Sequence, residues 1–438
     1  MTRYNTATLS NGLRVIHRPD PSPVVYCGIG INAGSRHEAA GEAGVAHFCE
    51  HVSFKGTSRR TSMQILNCLE SVGGDLNAFT NKEDTVFYAA IQREHIARAV
   101  DLLCDIVFCS TYPQEEVGRE IDVICDEIES YNDSPAELIY DEFENQLFSG
   151  HPLGHNILGT REQVLAFSSA HAQRFTNKYY LPANAIFFAC GDIAFERLVN
   201  MLERQATVGK RQETVGKRQE TVGERQETNG EKQTMRGEGQ DNGSDAAQPA
   251  PEALPAAHLS PVGGQAHHQA HVMMGCTTFG YDDERRMPLY LLNNILGGPG
   301  MNARLNLSLR ERNGLVYTVE SSMATYSDTG CWSVYFGCDH HDVKRCMRLV
   351  RRELDRMVQH PLGDRQLAAA KRQLKGQLAI ACDNREQFTL DMGKHFLHYG
   401  QERDIELLMQ RIDAITAQQV QDVAQQMFAA DRMHTLIL

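Results

Sequence analysis

The sequence predicts an α+β protein of two similar domains, each a mostly antiparallel sheet packed with helices, joined by a long flexible linker. Three observations point there. Strand-like and helix-like segments are segregated along the chain rather than strictly alternating, which disfavours a doubly wound parallel sheet. A low-complexity repeat divides the 438 residues into 1–205, 206–257 and 258–438. The last block then repeats the element order of the first, a likeness of pattern alone.

The first block opens on strand-like segments at Leu13–His17 and Val24–Ile29, rich in β-branched residues. Helical patterns follow at Gly44–Phe54, Met63–Ser71 and His95–Phe108. The Met63 segment begins after the polar cap Thr61-Ser62 and stops at Gly73-Gly74. Leu76–Phe87 alternates and reads as a strand. A longer helix is expected over Gln114–Tyr131, and Ser134-Pro135 starts another, with Ser at the cap and Pro in the first turn. In the last block a strand is expected near His271–Gly275, a helix near Pro288–Leu296, strands near Val316–Ala324 and Cys331–Gly337, then C-terminal helices.

From Thr207 the chain reads TVGKRQE, TVGKRQE, TVGERQE, TNGEKQT. A period of seven invites a coiled coil, but each unit has one Val at most and one Gly, so no apolar seam exists. Such composition cannot bury enough apolar surface to offset its ordering entropy. Residues 206–257 are therefore expected to be a flexible linker.

Charge and composition exclude several classes. There are 43 Lys plus Arg against 56 Asp plus Glu, a net −13, which argues against a nucleic-acid footprint. No apolar run approaches the ~18–20 residues of a membrane span. No apolar stretch follows Arg3, so a secretory signal is not visible and a cytoplasmic protein is expected. The 12 cysteines include no C-x-x-C pair and are expected as buried, reduced thiols.

The sharpest motif is His47-Phe48-Cys49-Glu50-His51. On a helix, His47 and His51 project from one face a turn apart and can take two positions of a tetrahedral zinc. Glu50 lies within reach of a water in an open position. A third ligand is sought in Glu120-Ile121-Asp122-Val123-Ile124-Cys125-Asp126-Glu127, where Glu120 and Glu127 share a face. Glu127 could ligate with Glu120 behind it; a solvated acidic helix face explains the spacing equally well.

These residues resemble the pitrilysin/insulinase-type zinc metallopeptidases, especially their mitochondrial-processing-peptidase-like bacterial members. The resemblance is carried by His47-x-x-Glu50-His51, Glu127 at 76 residues beyond His51, and Glu120 seven before it. It extends to Gly73-Gly74-Asp75-Leu76-Asn77-Ala78 with Thr80, Glu83 and Thr85, and to Leu296–Leu305, Leu309-Arg310-Glu311 and Gly314-Leu315-Val316-Tyr317. It implies that His47, His51 and Glu127 bind one Zn2+ per chain, that Glu50 is the general base for a zinc-activated water, and that peptides or unfolded segments are hydrolysed. It further implies that Arg310 and Tyr317 meet the substrate backbone and the developing oxyanion, and that the edge at Asn77 and Ala78 adds the substrate as a strand. Similar enzymes of this size build a chamber from two chains. Both motif sets lie here in one chain, so a homodimer suffices, with a hetero-oligomer as the other arrangement. The competing reading is a non-catalytic zinc-bearing scaffold or peptide-binding subunit of a larger complex. Such relatives typically lose ligands or base, which are all present here.

Other signals are discounted. His267-His268-Gln269-Ala270-His271 leads into a strand without an evident acidic partner, and His340-His341 sits in an expected loop. GGPGMNARL lacks a phosphate-loop lysine, and His151 and His155 are expected in an ordered loop. The last block is expected to hold no metal.

Overall fold

A computed structural model describes residues 4–205 and 268–438. The expected linker, 206–257, lies outside the described residues, as does His267.

The N-terminal half builds a sheet from β1 (Asn5–Thr8), β2 (Arg14–Pro19), β3 (Val24–Ile31), β4 (Asp75–Thr80), β5 (Thr85–Gln92) and β6 (Ala185–Gly191). Their order is β1-β2-β6-β3-β5-β4, so β4 is an edge strand. The β2–β6 pairing is parallel and the other four are antiparallel. The C-terminal half contributes β7 (Ala270–Phe279), β8 (Val316–Thr325), β9 (Thr329–Cys338) and β10 (His434–Ile437), a wholly antiparallel sheet in the order β10-β7-β9-β8. The α+β class with two sheet-and-helix halves is as expected.

One local expectation needs correction, and one strand had no counterpart among the expected elements. Leu76–Phe87 is not one strand but β4 and β5 around the turn Asn81–Asp84, closed by Asn81 N–H donating to Asp84 O at 2.8 Å. Alternation continues on both sides and hides the turn, although Asn and Asp at its ends favour one. Strand β6, Ala-Ile-Phe-Phe-Ala-Cys-Gly, gave no alternating signal because every residue is buried between β2 and β3.

The helices of the first half are α1 (Val45–Ser53), α2 (Ser62–Glu70), α3 (Ile96–Phe108), α4 (Gln114–Asn132), α5 (Pro135–Leu147), α6 (Arg161–Leu165), α7 (Ser169–Tyr179) and α8 (195–205). Thr61 caps α2 and Gln64 reaches back, a reciprocal pair that explains why the helix starts there. Phe48 and Val52 of α1, Leu102 and Ile106 of α3 and Ala172 of α7 pack with Ile29, Phe87 and Phe187 on one sheet face. The second half has α9 (Arg286–Gly297), a π-helical turn Asn306–Glu311, α10 (Val343–Gln359), α11 (Asp364–Asp383), α12 (Arg385–Tyr399), α13 (Ile405–Ala414) and α14 (Ala417–Met427). Leu292, Val350, Ala424 and Phe428 close its core around Trp332.

Each half also covers the other's sheet. Phe388, Met392, Phe396 and Leu397 of α12 pack on Ile16, Ile186 and Phe188 of the first sheet. In return Ile139, Phe143 and Leu147 of α5 pack on Met273, Cys331 and Leu436 of the second. Burying such side chains contributes about 1.5–3 kcal/mol each. The two halves of the sequence are thus joined by a reciprocal helix exchange. Among the described residues, no helix is long and apolar enough to cross a membrane.

Candidate metal centre

Helix α1 begins at Gly44, whose φ of +94° suits glycine and where a Cβ would sit 2.6 Å from Leu158 O. The buried Glu38 carboxylate caps the helix, accepting from Gly44 N–H at 2.9 Å and Ala46 N–H at 2.8 Å. His155 Nε2 holds Glu38 in turn at 2.9 Å, so the loop expected around His151 and His155 is ordered and serves the motif helix. Every residue of α1 except His51 is buried.

His47, His51 and Glu127 come together, with donor atoms within 4.8 Å of one another. Nε2 of His47 lies 3.8 Å from Glu127 Oε1, and Nε2 of His51 lies 3.4 Å from Oε2. Donors around a tetrahedral zinc, each ~2.0–2.2 Å from the ion, stand about 3.3–3.5 Å apart, so the set fits that ion. Nδ1 of His51 is held by Glu120 at 2.9 Å, which directs Nε2 toward Glu127; Lys55 holds the other Glu120 oxygen at 2.5 Å. Among the described residues, the buried Nδ1 of His47 has no hydrogen-bond partner.

The protein's own electrostatics separate the two imidazoles. Burial, then the proximity of His51, lowers His47 to about 4, which suits a neutral ligand. Burial also acts against charge on His51, but Glu120 and Glu127 outweigh it and raise His51 to about 9. The His51 hydrogen bond keeps the Glu127 carboxyl low. A bound dication would add its own charge to each of these balances.

Glu50 is buried, and burial raises its carboxyl above the ordinary range. The Thr80 hydroxyl donates to Glu50 Oε2 at 2.6 Å. Sequence reasoning gave Thr80 no role in the site. Its register was the signal: Thr80 alternates with Leu76 and Ala78, which pack on the core beside α1, and is the polar member of that face. Asn77 and Ala78 pair inward with Tyr88 and Phe87 of β5, leaving the outer edge of β4 unpaired in the sheet.

Arg310 and Tyr317 meet each other, with the guanidinium carbon 5.7 Å from the ring centroid. They line a cavity of about 400 Å³ with Asn294, Gly297, Met301 and Glu320. None of His47, Glu50, His51 and Glu127 lines that cavity. Tyr317 is 83% exposed. Elsewhere, Asp339, His341 and Asp342 also approach one another at the surface, an exposed acidic group of ordinary kind. His271 bonds Tyr335 within the second sheet.

Family models match two consecutive stretches: Insulinase (Peptidase family M16) over residues 14–161, and the Peptidase M16 inactive domain over 166–374. An uncharacterized zinc protease of Streptomyces coelicolor is 30% identical over 423 residues, covering 95% of this chain and 85% of its own. The chain belongs to the insulinase-type M16 peptidase family. A second M16 relative, the uncharacterized zinc protease YmxG of Bacillus subtilis, is 29% identical over 431 residues, covering 98% of this chain and 97% of its own. A solved protease from Helicobacter pylori superposes with a TM-score of 0.85 at 18% identity, covering 100% of this chain and 99% of that one, and so shares the fold. Within this M16 chain the three-donor cluster lies in the stretch matched by the insulinase model, and Arg310 and Tyr317 lie in the other.

Proposed function

We propose that the chain is a zinc-dependent endopeptidase acting on peptides or unfolded segments, with one zinc per chain held by His47, His51 and Glu127. The observation that carries this reading is the convergence of two imidazole Nε2 atoms on one carboxylate, with the buried Glu50 one residue from His51. Zinc, when bound, lowers the pKa of a water to about 7 and polarises a carbonyl. Glu50 takes the proton as that water attacks and passes it to the leaving amine. Its burial supports the role, because a carboxyl raised toward neutrality is a better proton shuttle. Thr80 fixes one Glu50 oxygen and leaves the other for the water. Glu120 holds the tautomer of His51. The unpaired edge of β4 at Asn77 and Ala78 takes the substrate backbone as an added strand, giving affinity with little sequence selectivity.

Arg310 and Tyr317 supply donors for the substrate backbone and the oxyanion. Both residue sets lie in this one chain, and the pair is read as completing the site of a second copy in a homodimer. Mixed dimers of Glu50→Gln and Arg310→Ala chains are then expected to regain activity absent from either parent. The direct test compares wild type with Glu50→Gln on a quenched peptide library while bound zinc is measured. Zinc retained with cleavage lost is the expected result. Equal cleavage by both overturns the mechanism, and zinc binding without cleavage by wild type makes the chain a binding subunit instead.

A further inference from the structure

We propose that the turn Asn81–Asp84 is the element through which the C-terminal half holds Glu50 in position, with Asp84, Lys394 and His398 as positioning residues. The proposal rests on the reading of Glu50 as general base.

Hairpin turns usually lie free at the surface. Here all four side chains of the turn are anchored. Asn81 Nδ2 donates to Asp84 Oδ1 at 2.6 Å. The buried Lys82 ammonium donates to the carbonyls of Leu153, at 3.1 Å, and His155. Glu83 accepts from Arg36 at 2.8 Å and from the Ser327 hydroxyl at 2.6 Å, and Ser327 belongs to the β8–β9 turn of the other half. Arg36 also pairs with Asp328 of that turn. Asp84, fully buried, receives Lys394 Nζ and His398 Nε2 of α12, both at 3.0 Å. The backbone is gripped as well: Ser35 N–H donates to Asn81 O at 3.1 Å and Arg36 N–H to Lys82 O at 2.7 Å. The approach is so close that a Cβ on Gly34 would stand 2.1 Å from Asn81 O.

Thr80 immediately precedes this turn and supplies the hydrogen bond to Glu50. A shift of the turn is transmitted to that hydroxyl across one peptide unit. Two of the anchors, α12 and the β8–β9 turn, belong to the C-terminal half, whereas Glu50 and the metal ligands belong to the N-terminal half. The C-terminal half therefore acts on the base without touching it. A further ion pair, Arg385 with Asp20 at 3.1 Å, joins α12 to the same sheet but leads to the β2–β3 connection and not to Thr80.

The test uses the full chain and the double variant Asp84→Asn/Lys394→Met, which removes the ion pair without leaving a lone buried charge. Bound zinc, kcat and KM on a quenched peptide, and hydrogen exchange of amides 75–80 are measured. Zinc is expected to stay near wild type, kcat to fall about tenfold or more, and the β4 amides to exchange faster. Lys394→Arg alone, which keeps a cation on Asp84, should behave as wild type, and Arg385→Gln should leave kcat and β4 exchange unchanged. Where the double variant does not fold, Ser327→Ala tests the second anchor by the same readouts, with a smaller effect of the same sign. The proposal is overturned if kcat is unchanged, if it falls without faster β4 exchange, or if Arg385→Gln causes the same loss. Should wild type bind zinc yet cleave nothing, the reading of Glu50 fails, and the exchange arm still decides whether α12 anchors the turn.

Discussion

The Thr80 hydroxyl stands 2.6 Å from Oε2 of Glu50, so the edge strand β4 and the motif helix α1 share a hydrogen bond at the carboxylate assigned to proton transfer. A bond to an ionised, buried acceptor is worth about 1.5–3 kcal/mol. Thr80→Val keeps the shape and removes the donor. It is expected to lower kcat by roughly 10–100-fold with zinc content unchanged, while Thr80→Ser retains most of the rate. Steady-state kinetics with metal analysis check this.

Glu120 holds Nδ1 of His51 at 2.9 Å and would act on a bound metal through that imidazole. Replacing it by Gln weakens its hold on Nδ1 and leaves Lys55 without its carboxylate. Zinc affinity is expected to fall about 10–100-fold, as for other groups that orient a metal-binding imidazole. Competition with a chelator of known affinity measures it, and an unchanged affinity would remove Glu120 from the site.

Asp84 links pH to stability. Burial alone would raise its carboxyl, but His398 and Lys394 outweigh burial and hold it at about 2, below the ordinary aspartate value of 3.8. A depressed folded-state pKa stabilises fully above the unfolded value and is lost as pH falls through the folded one. The contribution, about 2 kcal/mol, should be intact at pH 5 and disappear between pH 4 and 2. Denaturant unfolding of wild type and Asp84→Asn across that range should show the two curves converging at the acid end.

Phe188 sits where α12 meets the first sheet, with the Gly393 backbone close against its ring. Phe188→Ala is expected to cost about 3–5 kcal/mol, measured by denaturant unfolding. Arg385→Gln, at the partly exposed margin of the same contact, should cost far less.

Local features of this chain were legible in its sequence. The capped start of α2, the 3.6-residue pattern of α3 and α4, and the H-x-x-E-H helix depend on neighbours a few residues apart, and the structure places them within a residue or two of expectation. Non-local features were not legible. The apolar faces of α5 and α12 announce burial but not that each is buried on the other half's sheet. Asn81–Asp84 looked like the middle of a strand because the anchors that make it a turn come from residues 35–36, 153–155, 327–328 and 394–398. Arg310 and Tyr317 were expected to meet the substrate, but spacing along the chain does not say whether they face the metal of their own chain or of a partner; their shared cavity is lined by none of the cluster residues.

The reciprocal helix exchange has a consequence for how the chain tolerates being cut. Residues 1–205 alone would present Ile16, Ile186 and Phe188 to water, and residues 268–438 alone would present Met273 and Leu436. Two such fragments expressed together should reassemble as a non-covalent pair, each supplying the other's missing cover. The covalent connection then serves chiefly to raise the effective concentration of one half near the other. Co-expressed fragments that co-purify, and single fragments that aggregate, are the expected pattern.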